Sequence, residues 1–469
     1  MAGTLGIIAL IPPVVAIGLA LWKKQLVPSL FLGIWIGEMF MAKGNVFSAF
    51  LATLDNSLRI VGNKSNLEII LFSILVGSLL ALIKDSNGFQ GFINWFERKK
   101  KLRSRLTVYV LTYILGISVF IENWSNILIN GTTMRPLYEK LKISKERLGY
   151  FIHTISINFV AMAVINSWGA FYMSLLLTQN VDNPLRVIVK SIPFNYYCLA
   201  SLVLVIIVMA TGLTIGPMRK AEKAASEKGK SPALQESPFA TEISSRQKEI
   251  KPRAFHMILP IIILIVMVFL SLYITGKGNL YRGSGSASVF YAVFISILLT
   301  SLYFLIKKIF KFQELMDIIF RGMSELLPIG ALLVFALTMG DLCKRMGTGI
   351  YLAEFVKHNI PAFLLPALVF AISCLISFAT GTSYGTFAIM VPIAIPMANI
   401  MGINTAFMFG ACLSGGVFGD NCSPISDTSI VTSMGAKVSV VDHVKTQIPY
   451  ALISATAAFF LFILIGLLQ

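Results

Sequence analysis

The sequence predicts an all-α polytopic membrane protein of about 11–12 transmembrane helices in two structural repeats. Three observations carry this. The 469 residues are 56% hydrophobic and only 13% charged, where soluble domains carry about 25% charged residues, and the mean hydropathy is +0.79. Apolar runs of about 18–20 residues, enough to span a hydrocarbon core as helix, recur along the chain. The two halves, on either side of one hydrophilic stretch, carry the same order of interruptions. A β-barrel would show short alternating strands instead.

In chain order, residues 4–22 and 27–42 are apolar segments separated by Lys23 and Lys24, with Glu38 inside the second. Residues 47–60 are amphipathic, 67–84 apolar, and 104–121 apolar again. The stretch from 122 to about 138 opens with Glu122, Asn123, Trp124, Ser125 and Asn126 and has only some ten moderately apolar residues before Arg135–Pro136. That is too short to span and fits a re-entrant hairpin; it also reads as a helix end followed by a loop. Residues 148–178 are long enough to span but are studded with His153, Thr154, Ser156, Asn158, Asn166 and Ser167, the pattern of a broken helix. A clean span at 192–216 closes the first half, 1–216.

Residues 217–255 form a hydrophilic linker rich in Lys, Glu, Ser, Ala and Pro, placed in the cytoplasm by its Lys/Arg excess. The second half, 256–469, starts with spans near 256–275, 287–306 and 324–342, then 361–379. A second hairpin is expected at about 380–396, opening with Thr380, Thr382, Ser383, Tyr384 and Thr386. A second broken helix is expected at about 403–437, and 447–468 is the last span.

Within that second broken helix lies GACLSGGVFGDNCSPISDTSIVTS (410–433), with Asp420 and Asp427 inside eight residues, surrounded by hydroxyls, Asn421, three glycines and Pro424. A charge at bilayer depth costs a few kcal/mol or more and normally faces a cavity or an ion path. Gly and Pro let the helix break, freeing carbonyls and helix ends to hold an ion. The stretch thus reads as a cation site on a broken helix; read alone, it also fits an extramembrane loop.

The halves align without gaps at a shift of 260 residues: Pro136 meets Pro396, Ile143 meets Ile403 and Ile165 meets Ile425. Secondary transporters are commonly built from such repeats, with the site at their interface near the midplane. An inverted pair is expected, which needs an odd number of crossings per half; the apolar runs number six per half, and the basic loops do not settle the parity.

The net charge of +17 sits mainly in loops, as in KKKLRSR (99–105), which is the bias of an inner-membrane protein and not a nucleic-acid surface. The five cysteines have no metal-pair spacing and read as small buried residues. No HExxH motif appears, which argues against a membrane-embedded enzyme. No cofactor is expected beyond Na⁺ and H⁺ as coupling ions, and no cleavable signal is evident before the first apolar segment.

The run GDNCSPISDTSI (419–430) resembles the signature of the NhaC family of Na⁺/H⁺ antiporters. ENWSN (122–126), NGTTMRP (130–136) and KISKERLGY (142–150) resemble its first-repeat counterpart, and PPVVAIGLALWKKQLVPSLFLGIWIGE (12–38) is similar more generically. The resemblance covers most of the chain outside the linker. It implies Na⁺/H⁺ exchange across the cytoplasmic membrane, with relatives that carry small carboxylates or amino acids, and leaves a homodimer as a candidate assembly. Where that family often has an acidic pair near the first hairpin, this chain has Glu122–Asn123; where it often has Asp in the first broken helix, this chain has His153.

An exchanger needs one site that Na⁺ and H⁺ occupy in turn, and a carboxylate in a low-dielectric cavity supplies it, because desolvation favours the neutral form. Asp427 is assigned as Na⁺ ligand and Asp420 as proton or ion carrier. Ser423, Ser426, Asn421 and Thr382 are supporting oxygens. Either Asp alone also reads as the cap of a half-helix. His153 is a candidate proton carrier, or a packed, hydrogen-bonded histidine. Arg135 and Arg147 read as membrane-surface charges. The rival is coupled transport of an amino acid or short carboxylate, held at the hairpin tips by Ser125, Asn126, Ser383 and Thr386, with Glu122, Asn123, Trp124, Asn158 and Trp168 nearby; the thinning of first-repeat acids favours it.

Overall fold

The computed structural model describes residues 6–23, 25–99, 104–120, 123–228 and 250–468. Among them every regular element is helical. The first half contains α1 (Ile11–Lys23), α2 (Leu26–Met41), α3 (Val46–Gly62), α4 (Lys64–Asp85), α5 (Gly88–Lys99), α6 (Arg105–Ser118), α7 (Asn123–Lys140), α8 (Lys145–Met162), α9 (Ser167–Thr178), α10 (Pro184–Ser191) and α11 (Tyr196–Thr211). Helix α12 (Pro217–Lys228) follows. The second half contains α13 (Phe255–Thr275), α14 (Gly285–Ile306), α15 (Phe312–Met346), α16 (Thr348–Asn359), α17 (Leu365–Thr380), α18 (Ser383–Met401), α19 (Thr405–Cys422), α20 (Asp427–Ala436) and α21 (Val440–Leu468).

The repeat is visible in the helix boundaries. Helices α5 to α9 start at residues 88, 105, 123, 145 and 167, and α16 to α20 start at 348, 365, 383, 405 and 427, each 260 residues later. The same shift carries α4 onto residues 324–345 of α15. These two equivalent helices pack together and run antiparallel: Ser78 Oγ donates to Ile319 O at 2.8 Å, Gly77 lies against the Gly322 backbone, and Ile74, earlier in α4, lies against Gly330, later in α15. Equivalent helices pointing in opposite directions make the repeat inverted.

Seven described helices are long and apolar enough to cross a membrane, and ten spans result when each of three bent pairs counts as one; the shorter apolar helices Gly6–Ala20 and Arg105–Ser118 stand beside them. These segments are distinguished by length and composition, and they include arms of the two hairpins described next.

Each hairpin is longer than the sequence suggested. The first is α6 followed by α7, so Asn123–Lys140 is its second arm and Arg105–Ser118, within the apolar run expected as a span, is its first arm and not a separate span; residues 121–122 lie outside the described residues. Asn126 Nδ2 donates to Gly116 O and Val119 O across the tip, Asn130 Nδ2 reaches Thr112 O at 2.9 Å, and the Thr112 and Tyr138 hydroxyls lie 3.0 Å apart. The second hairpin is α17 and α18, spanning 365–401. Its tip turns at Gly381, which has φ +71° and leaves room for the Ile425 backbone; any side chain there would be strained and would strike the neighbouring helix break.

This hairpin resolves the parity. Arg105 Nη2 donates to Lys142 O at 3.0 Å and sits 3.8 Å from Glu222, and Arg147 Nε sits 3.1 Å from the same carboxylate. The starts of α6, α8 and α12 therefore share one face. Between them the chain makes a hairpin, crosses through α8–α9 and returns through α10–α11. Arg105, Arg147 and the first turns of α12 then lie on one and the same face. Arg147 is only 2% exposed, a buried ion-paired residue and not a surface charge. Its partner belongs to α12, so the first turns of the expected linker are helical and docked. The five cysteines are buried and unpaired with one another.

Candidate functional site

Both broken helices break where a hairpin tip meets them. Helix α8 stops at Met162, and α9 restarts with Asn166 as N-cap, its side chain accepting from Gly169 N at 2.8 Å. The Asn166 amide also donates to Val160 O (2.7 Å) and to Phe120 O (3.2 Å) at the first tip. Helix α19 stops at Cys422, and Pro424, which has no N–H to offer, stands in the gap before α20. Helix α17 runs close along α19 because Gly419 has no side chain to hold off the Ser377–Phe378 backbone.

Asp420 lies at the end of α19, 2% exposed. Three hydroxyls surround its carboxylate: Ser383 Oγ, at the start of α18, lies 2.7 Å from Oδ2, Thr428 Oγ1 lies 2.8 Å from Oδ1, and Ser426 Oγ also donates to Oδ1. Ser426 is the N-cap of α20 but makes no capping bond; its hydroxyl is spent on the carboxylate. Among the described residues Asp420 forms no ion pair. A buried carboxylate held by hydroxyls alone keeps its charge available to a cation, since hydroxyl oxygens turn a lone pair to an ion as readily as a proton to an anion.

The remaining expected site residues are distributed as follows. Asp427 is exposed at the first turn of α20, where Oδ1 accepts the Thr428 N–H at 2.7 Å. It lines a cavity of 190 Å³ with Gln25, Leu26, Thr380, Gly381, Thr382 and Ile425. Thr382 is the N-cap of α18, accepting from Gly385 N, and accepts Thr386 Oγ1 on its carbonyl. Ser423 ends α19. Asn421 donates to the Tyr197 hydroxyl at 3.1 Å and accepts from Gln447 Nε2 on its carbonyl at 2.7 Å. Asn123 accepts the Ser156 hydroxyl on its carbonyl, Asn126 ties the first tip together, and Asn158 donates to Thr154 O. Glu122 and the side chain of Ser125 lie outside the described residues. Glu38 is buried against Arg345 and Asn56, an internal ion pair away from these breaks.

His153 touches the site. Its Nε2 lies 2.9 Å from Thr428 Oγ1, and its Nδ1 lies 2.9 Å from His443 Nε2 and 3.1 Å from Gln447 Nε2. Thr428, His443 and Gln447 join the site without having been among its expected residues. Thr428 stands beside Asp427 in the motif; His443 and Gln447 are polar residues four apart on the last span, one helical face, which was the only available signal.

Comparison with known proteins agrees with this architecture. A family model described as the Na⁺/H⁺ antiporter family matches residues 162–467. An uncharacterized protein of Haemophilus influenzae is 30% identical over 98% of this chain and 90% of its own. The malate-2H⁺/Na⁺-lactate antiporter of Bacillus subtilis is 30% identical over 34% of each chain. Among solved structures, the YdaH transporter of Alcanivorax borkumensis superposes with a TM-score of 0.60 at 12% identity, covering 96% of this chain and 98% of its own. That likeness is one of fold.

Proposed function

This chain belongs to the Na⁺/H⁺ antiporter family, a family of secondary transporters, and from that premise we propose that it exchanges Na⁺ for H⁺ across the cytoplasmic membrane by alternating access at Asp420. The observation that carries the reading is a buried carboxylate, held only by hydroxyls, at the break where the inverted repeats meet. Na⁺ takes Asp420 with the oxygens of Ser383, Ser426 and Thr428; H⁺ takes the same carboxylate and makes it neutral. A bare carboxylate in a low-dielectric core is costly, so only the Na⁺-loaded and H⁺-loaded forms reorient. That cost is what couples the two ions. Asp427, Thr382, Ser423 and Asn421 flank the break and serve the ion's approach.

A second reading, coupled transport of a short carboxylate or amino acid, is favoured by two buried polar atoms that have no hydrogen-bond partner among the described residues, Trp168 Nε1 and Asn158 Oδ1, on the repeat that lacks a carboxylate at its break. The malate/lactate antiporter resembles a third of the chain. Proteoliposomes holding a pH-sensitive dye, given a Na⁺ pulse with and without such solutes, separate the readings. Na⁺-driven proton movement without solute, lost in Asp420→Asn, is the expected result. Silence until one solute is added, then Na⁺-dependent uptake of it, would overturn simple exchange in favour of the second reading.

A further inference from the structure

We propose that His443, His153 and Thr428 form a directed proton relay between the basic face and Asp420, separate from the Na⁺ route; this rests on the exchange reading above. The direction follows from donors and acceptors. Gln447 Nε2 lies 2.7 Å from Asn421 O, a group that only accepts, so that atom is the amide nitrogen; of its two hydrogens one goes to that carbonyl and the other to His153 Nδ1 at 3.1 Å, nearer than Asn421 Oδ1 at 3.3 Å. His153 Nδ1 is therefore the bare nitrogen, and His153 carries its proton on Nε2, pointing at Thr428 Oγ1. The Thr428 hydroxyl in turn donates to Asp420 Oδ1. In that tautomer His443 Nε2, 2.9 Å from the same Nδ1, is its second donor, the two N–H groups sharing one lone pair. Every proton in the chain points toward Asp420.

One bare nitrogen remains, His443 Nδ1. It is buried and has no hydrogen-bond partner among the described residues. It faces Gly149 of α8, where a Cβ would stand 2.9 Å away, so glycine at 149 keeps a side chain from pressing on it. His443 sits one turn inside the start of α21. Toward the surface from it lie exposed Asp442 and Lys445 and half-buried Glu146, on the same face as Arg147 and Glu222. The groups facing His153 are His443 and Gln447 from α21 and Thr428 from α20.

A proton arriving at His443 Nδ1 releases the Nε2 proton to His153 Nδ1. His153 releases its Nε2 proton to Thr428 Oγ1, and Thr428 releases its hydroxyl proton to the Asp420 carboxylate. One proton enters and one is delivered, with no net charge left on the relay. Na⁺ binding at Asp420 runs the same steps in reverse. The relay draws one histidine from each repeat and serves only the basic face, while the cavity at Asp427 and Thr382 opens beside the same break for the cation.

The test compares two exchange modes in proteoliposomes carrying His443→Gln and, as a second variant, His443→Asn, each first shown to elute as a monodisperse species. Counterflow of radiolabelled Na⁺ against Na⁺ uses the Asp420 site but needs no proton transfer. Na⁺/H⁺ exchange needs both. The relay requires proton-coupled exchange to fall about tenfold or more, the range over which a positioned proton-transfer group contributes, with Na⁺ counterflow unchanged. Retained Na⁺/H⁺ exchange, or an equal loss of both modes in folded variants, overturns it. Failure of the underlying reading is seen elsewhere, as absent Na⁺/H⁺ exchange in the unaltered protein or undiminished exchange in Asp420→Asn.

Discussion

The two broken helices share a geometry and differ in chemistry. Residues 260 apart make the same contacts. Ser156 Oγ donates to Asn123 O at 3.2 Å in the first repeat, and Ser383 Oγ lies 3.1 Å from Gly416 O in the second, the same pair with donor and acceptor exchanged. Asn166 donates to Val160 O in the first repeat; in the second, Ser426 donates to Asp420 at the matching positions. One break is closed by an amide on a backbone carbonyl, and the other is held around a carboxylate. The inverted frame comes from both repeats, whereas among the described residues the fixed charge at a break comes from one. The first repeat contributes His153, whose counterpart in the second is Leu413, so the ion and the proton path are drawn from opposite sides of the pseudo-symmetry.

The sharpest test of that asymmetry is at the matched pair. Asp420→Asn removes a charged ligand worth about 1.5–3 kcal/mol; Na⁺/H⁺ exchange is expected to vanish, and Na⁺ affinity, measured by calorimetry or counterflow, to fall about tenfold to a hundredfold. Val160→Ala changes only a side chain whose backbone carbonyl does the bonding. It is expected to cost about 1 kcal/mol of stability and leave exchange at or near the unaltered rate. Equal effects at the two positions would mean that the breaks are functionally equivalent.

The supporting oxygens separate next. Ser426→Ala deletes a hydroxyl donated to the carboxylate and should raise the Na⁺ concentration for half-maximal exchange about tenfold, with little change in melting temperature. Asn166→Ala deletes a helix cap and the tie to the first tip. It should lower the melting temperature by an amount matching about 1–2 kcal/mol and leave the half-maximal Na⁺ concentration in place. A crossed result, affinity lost at 166 and stability lost at 426, would place the ion at the other break.

Much of this was legible in the sequence. Pro136 and Pro396, Ile143 and Ile403, and Ile165 and Ile425 gave the shift of 260 that the helix starts obey, and the pairing of an acid with Gly and Pro in an apolar run marked Asp420. An inverted pair was expected, but the number of crossings per repeat was not legible. Residues 52–85 lie in two helices separated at Asn63, while their equivalents, 312–345, lie in one unbroken α15, so counting apolar segments miscounts crossings. The first arm of each hairpin is as apolar as a span and carries no mark that it turns back; only its contacts with the second arm show this. His443 was hidden because its partner, His153 of α8, lies 290 residues away in the chain.

Asp427 gives the smallest expected effect and the finest distinction. In the sequence it is seven residues from Asp420, two turns apart on a continuous helix, which invited a shared ion. The break at 423–426 separates them: Asp420 is buried under three hydroxyls, and Asp427 is exposed beside the 190 Å³ cavity, taking a backbone N–H of its own helix. A carboxylate at a helix start contributes about 0.3–1 kcal/mol through the helix dipole, and an exposed charge beside an ion path contributes attraction of similar size. Asp427→Asn should therefore raise the half-maximal Na⁺ concentration only about two- to fivefold at low salt, with the difference shrinking as an inert salt such as choline chloride screens the charge. A salt-insensitive loss as large as that of Asp420→Asn would mean instead that both carboxylates hold one Na⁺ in the same coordination shell, and that the second repeat carries a two-carboxylate site where the first carries none.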